Sequence, residues 1–354
     1  MRFVIMAGGT GGHVYPALAV AQELRARGHE IVWMGAPDSF EARVVPQHGF
    51  AIDFIRVSGL RGKGLVKLLQ APLLILRAVR EALAILRARQ PAAVVGFGGF
   101  AAGPGGLAAW LSGRPLVVHE QNAAPGMTNR FLARVAKIVL QAFPQTFANG
   151  ETVGNPVRKG FAELPPPATR IAHDGPMRLL VIGGSQGARA LNEQVPKALA
   201  LLSNEQRPQV RHQAGRTLDV AQAAYRDVQI EADVTAFIDD MPAAFAWADL
   251  VVCRAGASTV AEVSAAGNAT ILVPFPFAVD DHQTRNAAYL VDAGAALLMP
   301  ENTLDATQLA QRLGELLADR SRLQRMADAA RAKAWTNATQ TIADACLRAA
   351  GASA

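Results

Sequence analysis

The chain has 354 residues, 51% of them hydrophobic and 18% charged, so it is neither disordered nor a coiled coil and is long enough for about two domains. Its net charge of +6 fits an anionic partner such as a nucleotide or a membrane surface, while the lack of an aromatic-basic motif speaks against nucleic acid. Cys253 and Cys346 lie too far apart in sequence for a metal motif or a disulfide framework, which makes a reducing cytosol the default.

From the N-terminus, MRFVIMAGG reads as a strand opening the fold, not as a signal segment. Apolar runs that predict strands then recur at Phe3–Met6, Ile31–Met34, Ala93–Phe97, Leu116–His119, Ile138–Leu140, Leu179–Ile182, Val210–Gln213, Val234–Phe237, Leu250–Cys253 and Thr270–Val273. Ala- and Leu-rich amphipathic stretches separate most of them, and from Leu304 onward the chain reads as helical. Strands alternating with helices predict an α/β fold with parallel sheets covered on both faces. The uncharged window from Pro91 to Gly113 holds seven glycines and two prolines, which suits a strand, a glycine loop and a helix start better than a bilayer span.

Residues 1–12, MRFVIMAGGTGG, echo residues 177–188, MRLLVIGGSQGA, at close to half the chain length. Two Rossmann-like, doubly wound domains follow. Pro156, Pro165, Pro166 and Pro167 mark the join, giving domains 1–157 and 158–354, with the last helix a candidate to return to the first domain.

Gly8-Gly9-Thr10-Gly11-Gly12-His13 follows the first strand, and a helix is expected over Pro16–Arg27, with Pro16 in its first turn. Glycines there let the backbone approach a phosphate or a developing negative charge, although the spacing matches neither a dinucleotide fingerprint nor a Walker loop. A tight strand-to-helix turn is the plainer reading. His13 is a candidate general base at the ligand edge of the sheet; by itself it also reads as a packing histidine at a helix start.

Gly183-Gly184-Ser185-Gln186-Gly187 is the second such turn. It matches the nucleophile-elbow pattern of hydrolases, with Asp281 and His282 in triad order. Those two are adjacent, however, and Thr10 stands where Ser185 stands in the paired turn, so a shared phosphate-cradling role is preferred. The third cluster, Gly96–Phe100 with Gly103-Pro104-Gly105-Gly106, is expected to form an extended loop near the same edge. His119-Glu120-Gln121-Asn122 ends another strand on that edge. In the second half, Gly256 and the small residues Ala257, Ser258 and Thr259 open a helix whose N-terminus suits a phosphate. Glu262, about one turn in, could accept hydrogen bonds from ribose hydroxyls or simply complement the helix start. The loop from Asp280 to Asn286 reads as a sugar reader; its acid pair lacks a third ligand, so no metal is expected.

Taken in order, GGTGGH with Pro16, GFGGF with GPGG, HEQN with Gly126 to Asn129, GNPVR, GGSQGAR with Asn192, CRAGASTVAE and DDHQTRNA resemble the MurG family over essentially the whole chain. Members are bacterial UDP-N-acetylglucosamine: undecaprenyl-pyrophosphoryl-muramoyl-pentapeptide N-acetylglucosaminyltransferases. The departures are small: Phe100 stands where tyrosine is common, and His282 sits where neighbours vary.

The resemblance implies the two-Rossmann (B-type) glycosyltransferase fold, with a deep cleft between the halves. It implies an inverting transfer of N-acetylglucosamine from UDP-GlcNAc to the muramoyl C4 hydroxyl of lipid I, giving β-1,4-linked lipid II and UDP in peptidoglycan synthesis, with no cofactor. Ile238 would meet the uracil through its backbone, Glu262 the ribose, and Ser185 with Ala257, Ser258, Thr259, Val260 and Ala261 the diphosphate. Gln283 would contact the N-acetylglucosamine. Thr10, Gly11, Gly12 and Asn122 would reach the donor sugar from the first half, Arg158 would approach from the hinge, and His13 would be the base. Without a metal, the helix start near Ala257 would stabilise the departing UDP.

The lipid acceptor implies a peripheral protein at the cytoplasmic face of the inner membrane, with other cell-wall synthesis proteins as candidate partners. Arg61 to Leu69 running into Ala71 to Arg80 is a dense apolar stretch with basic flanks that suits an anionic membrane; the alternative is a crossover helix with solvated charges. A UDP-N-acetylglucosamine 2-epimerase is the alternative inside the fold, and a non-enzymatic carrier-binding member the alternative outside catalysis. A nucleotide-dependent oxidoreductase is disfavoured by the broken fingerprint.

Overall fold

The computed structural model describes residues 1–57 and 65–352; for 65–70 and 279 it describes the backbone alone. The chain forms two compact units, Met1–Val157 with Asn337–Ala354, and Arg158–Thr336.

The first unit contains β1 (Arg2–Ala7), α1 (Gly11–Ala26), β2 (Glu30–Gly35), α2 (Phe40–Val44), β3 (Ala51–Phe54), α3 (Leu65–Arg89), β4 (Ala93–Gly98), α4 (Ala102–Leu111), β5 (Leu116–Glu120), α5 (Met127–Leu132), β6 (Ile138–Gln141) and β7 (Glu151–Thr152). Its strands are all parallel, in the order β3-β2-β1-β4-β5-β6-β7. The central strands are buried on both faces, which is why they read as unbroken apolar runs. Alternate residues serve opposite layers. Phe3 and Ile5 pack with Val14, Leu18 and Trp33, whereas Val4 and Met6 pack with Val79, Leu86 and Ala108.

The second unit contains α6 (Pro167–Ile171), β8 (Arg178–Ile182), α7 (Arg189–Ala200), β9 (Gln209–Gln213), α8 (Leu218–Asp227), β10 (Asp233–Thr235), α9 (Met241–Trp247), β11 (Leu250–Cys253), α10 (Ala257–Ala266), β12 (Ala269–Leu272), α11 (His282–Val291), β13 (Ala296–Leu298), α12 (Ala306–Leu317) and α13 (Arg320–Ala332). Its parallel order, β10-β9-β8-β11-β12-β13, repeats that of the first six strands of the other sheet. The echoing segments therefore occupy equivalent central strands, β1 and β8.

The final helix, α14 (Ala338–Ala349), belongs to the first unit. Ile342, Ala343 and Cys346 join the core beneath α1, and Lys137 Nζ donates to Ala349 O at 3.0 Å. Ion pairs Arg27–Asp344 and Arg348–Glu151 fasten its outer side.

Several local expectations change. The first helix begins at Gly11, not Pro16, because Thr10 turns extended and its carbonyl already accepts from His13 N and Val14 N. Gly11, Gly12 and His13 are thus the first turn of a helix. Residues 102–106 are helical, not an extended loop. Their glycines serve packing: a Cβ on Gly105 would lie 2.3 Å from Met6 Sδ, and one on Gly106 2.6 Å from Leu132 Cδ2. His282 to Asn286 likewise lie in α11, not in a loop. The expected strand over Val234–Phe237 is Asp233–Thr235, because Ala236 leaves the sheet to accept from Gly215 N. Three short strands, β3, β7 and β13, carried no sequence expectation.

In α3, Leu73, Leu74, Ile75 and Leu76 are exposed, at 70%, 40%, 42% and 51%. Arg61, Gly62, Lys63 and Gly64 of the expected basic flank lie outside the described residues. Among the described residues no helix is long and apolar enough to cross a membrane.

Candidate active site

In each sheet the strand order reverses between two neighbouring central strands, β1 and β4 in one unit and β8 and β11 in the other. Ligands of doubly wound sheets bind outside the carboxyl ends of the strands at such a switch point. The glycine turns after β1, β4, β8 and β11 all stand there.

In the first unit, Gly8 N donates to Gly98 O at 3.2 Å, joining the ends of β1 and β4. Thr10 and Gly12 are exposed, Gly11 and His13 partly so. Thr10 Oγ1 lies 3.5 Å from His13 Nδ1. Gly98 has φ +101°, and a Cβ there would sit 3.3 Å from His13 Nε2 and 3.4 Å from Asn129 Nδ2. Only glycine lets the imidazole lie so close to this backbone.

Asn129, which faces the same Gly98 as His13, belongs to a buried polar network. Its Nδ2 donates to Glu120 Oε2 at 2.9 Å and to His119 O at 3.2 Å. Glu120 Oε1 accepts from Asn122 N at 3.0 Å and from Asn122 Nδ2 at 3.3 Å, while Oε2 also accepts from Gly126 N at 3.2 Å. The carboxylate therefore shapes the turn that presents Asn122. Burial lowers His119 to about 4, so it is neutral. Its Nε2 donates to Gly154 O at 3.0 Å, and Nδ1 accepts from Gln121 Nε2 at 3.0 Å. Asn155 Nδ2 donates to Gln121 O at 2.9 Å, tying the GNPVR segment to the HEQN turn.

In the second unit the turn 183–187 is held from behind. Gly183 N donates to Gln213 O at 2.9 Å and Gly184 N to Gln213 Oε1 at 3.3 Å, leaving Ser185 and Gln186 exposed. Asn192 Nδ2 donates to Thr217 Oγ1 at 2.8 Å, and its Oδ1 lies 2.9 Å from Nε2 of the buried His212. Burial lowers His212 to about 3, so it too is neutral.

Helix α10 starts after Gly256, which offers no side-chain cap, and its first turn carries no acidic residue. The leading N–H groups of Ala257, Ser258 and Thr259 thus meet the positive end of the helix dipole. Glu262 is buried, and Arg158 Nε lies 3.3 Å from its Oε1. Burial raises the Glu262 carboxyl to about 7, and the Arg158 charge opposes that rise. Gln283 Oε1 accepts from Phe275 N at 2.9 Å. Arg254, ion-paired to Glu301, donates to Val273 O at 3.2 Å and Pro274 O at 3.3 Å and so braces the same loop. Ile238 follows β10 and is half-buried.

The expected residues therefore sort into two groups. Thr10, Gly11, Gly12, His13 and Asn122 lie on the carboxyl edge of one sheet. Ser185, Ile238, Ala257 to Glu262 and Gln283 follow strand ends of the other, with Arg158 at Glu262. Glu41 carried no sequence signal: it is a single acid in a five-residue helix, yet its Oε2 accepts from Gly9 N at 3.1 Å. Among the described residues no group of three or more His, Cys, Asp or Glu could hold a metal ion.

Both units resemble known proteins. The glycosyltransferase family 28 N-terminal domain matches residues 3–141, and the family 28 C-terminal domain matches residues 178–342. A UDP-N-acetylglucosamine--N-acetylmuramyl-(pentapeptide) pyrophosphoryl-undecaprenol N-acetylglucosamine transferase of Xanthomonas campestris pv. campestris (strain B100) is 60% identical over 350 residues, 98% of this chain and 82% of the relative. The transferase of the same name from Nitrosococcus oceani is 55% identical over 352 residues, 98% of each chain. The crystal structure of Acinetobacter baumannii MurG matches with a TM-score of 0.88 at 42% identity, over 98% of this chain and 99% of that one. With both domains matched and near-full-length relatives above half identity, the chain belongs to glycosyltransferase family 28.

Proposed function

We propose that the protein is an inverting N-acetylglucosaminyltransferase that moves GlcNAc from UDP-GlcNAc to the C4 hydroxyl of the MurNAc of lipid I, forming β-1,4-linked lipid II and UDP. The observation that carries this reading is the 55–60% identity, over 98% of the chain, to transferases named for that reaction. The second unit supplies the donor site. Glu262 accepts from the ribose hydroxyls, Ile238 meets the uracil, and Gln283 meets the GlcNAc. Ser185 with Ala257, Ser258, Thr259, Val260 and Ala261 takes the diphosphate at the start of α10, and Arg158 adds a cation. Thr10, Gly11, Gly12 and Asn122 of the first unit are assigned to the transferred sugar.

The acceptor oxygen attacks the anomeric carbon as its bond to the β-phosphate oxygen breaks. The hydroxyl proton passes to His13, and UDP departs with the bonding pair. One displacement inverts the α-linked donor to a β-linked product. The positive end of α10 stabilises the charge that develops on UDP. UDP release measured against consumption of a short-chain lipid I analogue tests the reading. One UDP per acceptor consumed is expected. UDP release that ignores the acceptor, or conversion of the donor to its 2-epimer, contradicts it.

The acceptor's lipid places the protein at the cytoplasmic face of the inner membrane, with the exposed Leu73 to Leu76 segment of α3 entering the interface. Cations beside it would each add about 1 kcal/mol on an anionic surface. Anionic liposomes at low salt should retain the protein, and Leu73→Glu with Leu76→Glu should release it. Equal retention of both proteins rejects this surface. Other cell-wall synthesis proteins remain candidate partners in the same setting.

A further inference from the structure

We propose that Glu41 is a positioning residue for the transfer: its buried carboxylate sets the backbone of the Gly8–Gly12 turn, and through that turn the placement of Thr10 and His13. The proposal rests on the reading of this turn as the catalytic edge of the first unit.

Glu41 is 2% exposed. Its Oε2 accepts from Gly9 N at 3.1 Å and its Oε1 from Ala36 N at 3.2 Å. Among the described residues it takes part in no ion pair, so these two amides are the groups that hold it. The slot it fills is made by glycines. A Cβ on Gly8 would lie 2.6 Å from Oε1, and one on Gly35 would lie 2.9 Å from Glu41 Cγ.

The opposite side of the turn is closed just as tightly. A Cβ on Gly99 would lie 2.5 Å from Gly8 O, and Gly8 N is already bonded to Gly98 O. Gly8 and Gly9 are thus gripped between a carboxylate and a glycine pair. Gly9, at φ +89°, then redirects the chain into Thr10 and the first turn of α1. The grip is anchored at its source, because Ser39 Oγ accepts from Ala42 N at 3.2 Å and donates to Ala36 O at 2.7 Å, fixing the short helix that carries Glu41.

Both partners of Glu41 are N–H donors. A glutamine of the same shape would turn its own amide N–H toward one of them, so the isostere cannot replace the acid. A base displaced by a fraction of an ångström loses rate without altering a donor site in the other unit. A role confined to stability lacks that signature.

The test compares wild type, Glu41→Gln, His13→Ala and the double variant in the full-length protein. It reads kcat, the KM for UDP-GlcNAc and the UDP dissociation constant. Glu41→Gln should lower kcat about 10- to 100-fold with UDP affinity unchanged. In the His13→Ala background the same substitution should cost little more, since both act through one turn. Gly8→Ala, which drives a methyl group against Oε1, should reproduce the kcat loss if Glu41→Gln does not fold. The proposal is overturned if folded Glu41→Gln or Gly8→Ala keeps kcat within about twofold of wild type. It is also overturned if the two losses multiply fully in the double variant. Undiminished turnover in His13→Ala alone removes the base assignment, and Glu41 is then judged on its own kcat loss.

Discussion

The two glycine turns after β1 and β8 begin from nearly the same sequence and stand at the same switch point, yet they are built differently. After β1 the chain enters a helix at once, so Gly11, Gly12 and His13 form its first turn, above a buried carboxylate. After β8 the turn runs on to Arg189 before a helix begins and is backed by Gln213 and by the Asn192–His212 network. In that unit the helix start of small residues follows the neighbouring strand of the sheet, at α10 after β11. The difference matches the two roles proposed for these turns. A side chain proposed to move a proton gains from a short, rigid attachment, and a helix start proposed to take a diphosphate gains from an unobstructed end and a turn open to solvent.

The largest expected effect comes from the first turn. His13→Ala should lower kcat by ~10²–10⁴ while UDP affinity stays within about twofold, read by steady-state turnover and calorimetry. A parallel loss of UDP affinity would erase the distinction between the two turns.

The donor side is sharper in pH. The Glu262 carboxyl, raised to about 7 by burial, is partly protonated near neutrality before the donor arrives. In the proposed contact the ribose hydroxyls donate to the ionised form, so UDP affinity should rise as pH increases through about 7 and fall below it. Glu262→Gln should flatten that profile and weaken UDP binding about 10- to 100-fold, since a hydrogen bond to a charged group contributes roughly 1.5–3 kcal/mol. The sign for stability is opposite. The folded value lies above the unfolded one, so the protonated group's contribution is complete below the unfolded value and is lost as pH rises toward 7. A pH-independent UDP affinity in the wild type would remove Glu262 from the ribose contact.

The smallest effects separate packing from catalysis. Gly105→Ala should destabilise the first unit by about 1–3 kcal/mol, because its methyl group would meet Met6 and Met34. Gly103→Ala, whose Cβ would find only Thr128 Cγ2 at 3.7 Å, should change stability by no more than about 0.5 kcal/mol. Denaturant unfolding reads both. Equal effects would show that α4 does not lie on β1 and β2 as described.

The buried strands were legible because parallel strands covered on both faces are continuous apolar runs; β1, β4, β8 and β11 all read that way. The short edge strands β3, β7 and β13 were not, since two to four half-exposed residues carry no such signature. The glycines from Gly103 to Gly106 suggested a loop because sequence does not reveal Met6 and Leu132 pressing on them from distant segments. The placement of the glycine turns at the strand ends was legible from the internal echo. Glu41 was not, because its meaning depends on Gly9 and Ala36, which the fold, not the sequence, brings to its two oxygens.

The proposed transfer is a single inverting displacement of UDP by the muramoyl hydroxyl. Proton NMR of the disaccharide formed from UDP-GlcNAc and a short-chain lipid I analogue reads its anomeric configuration. A β-linked product formed together with one UDP is the predicted result. An α-linked product, or UDP accompanied only by free N-acetylglucosamine, would contradict it.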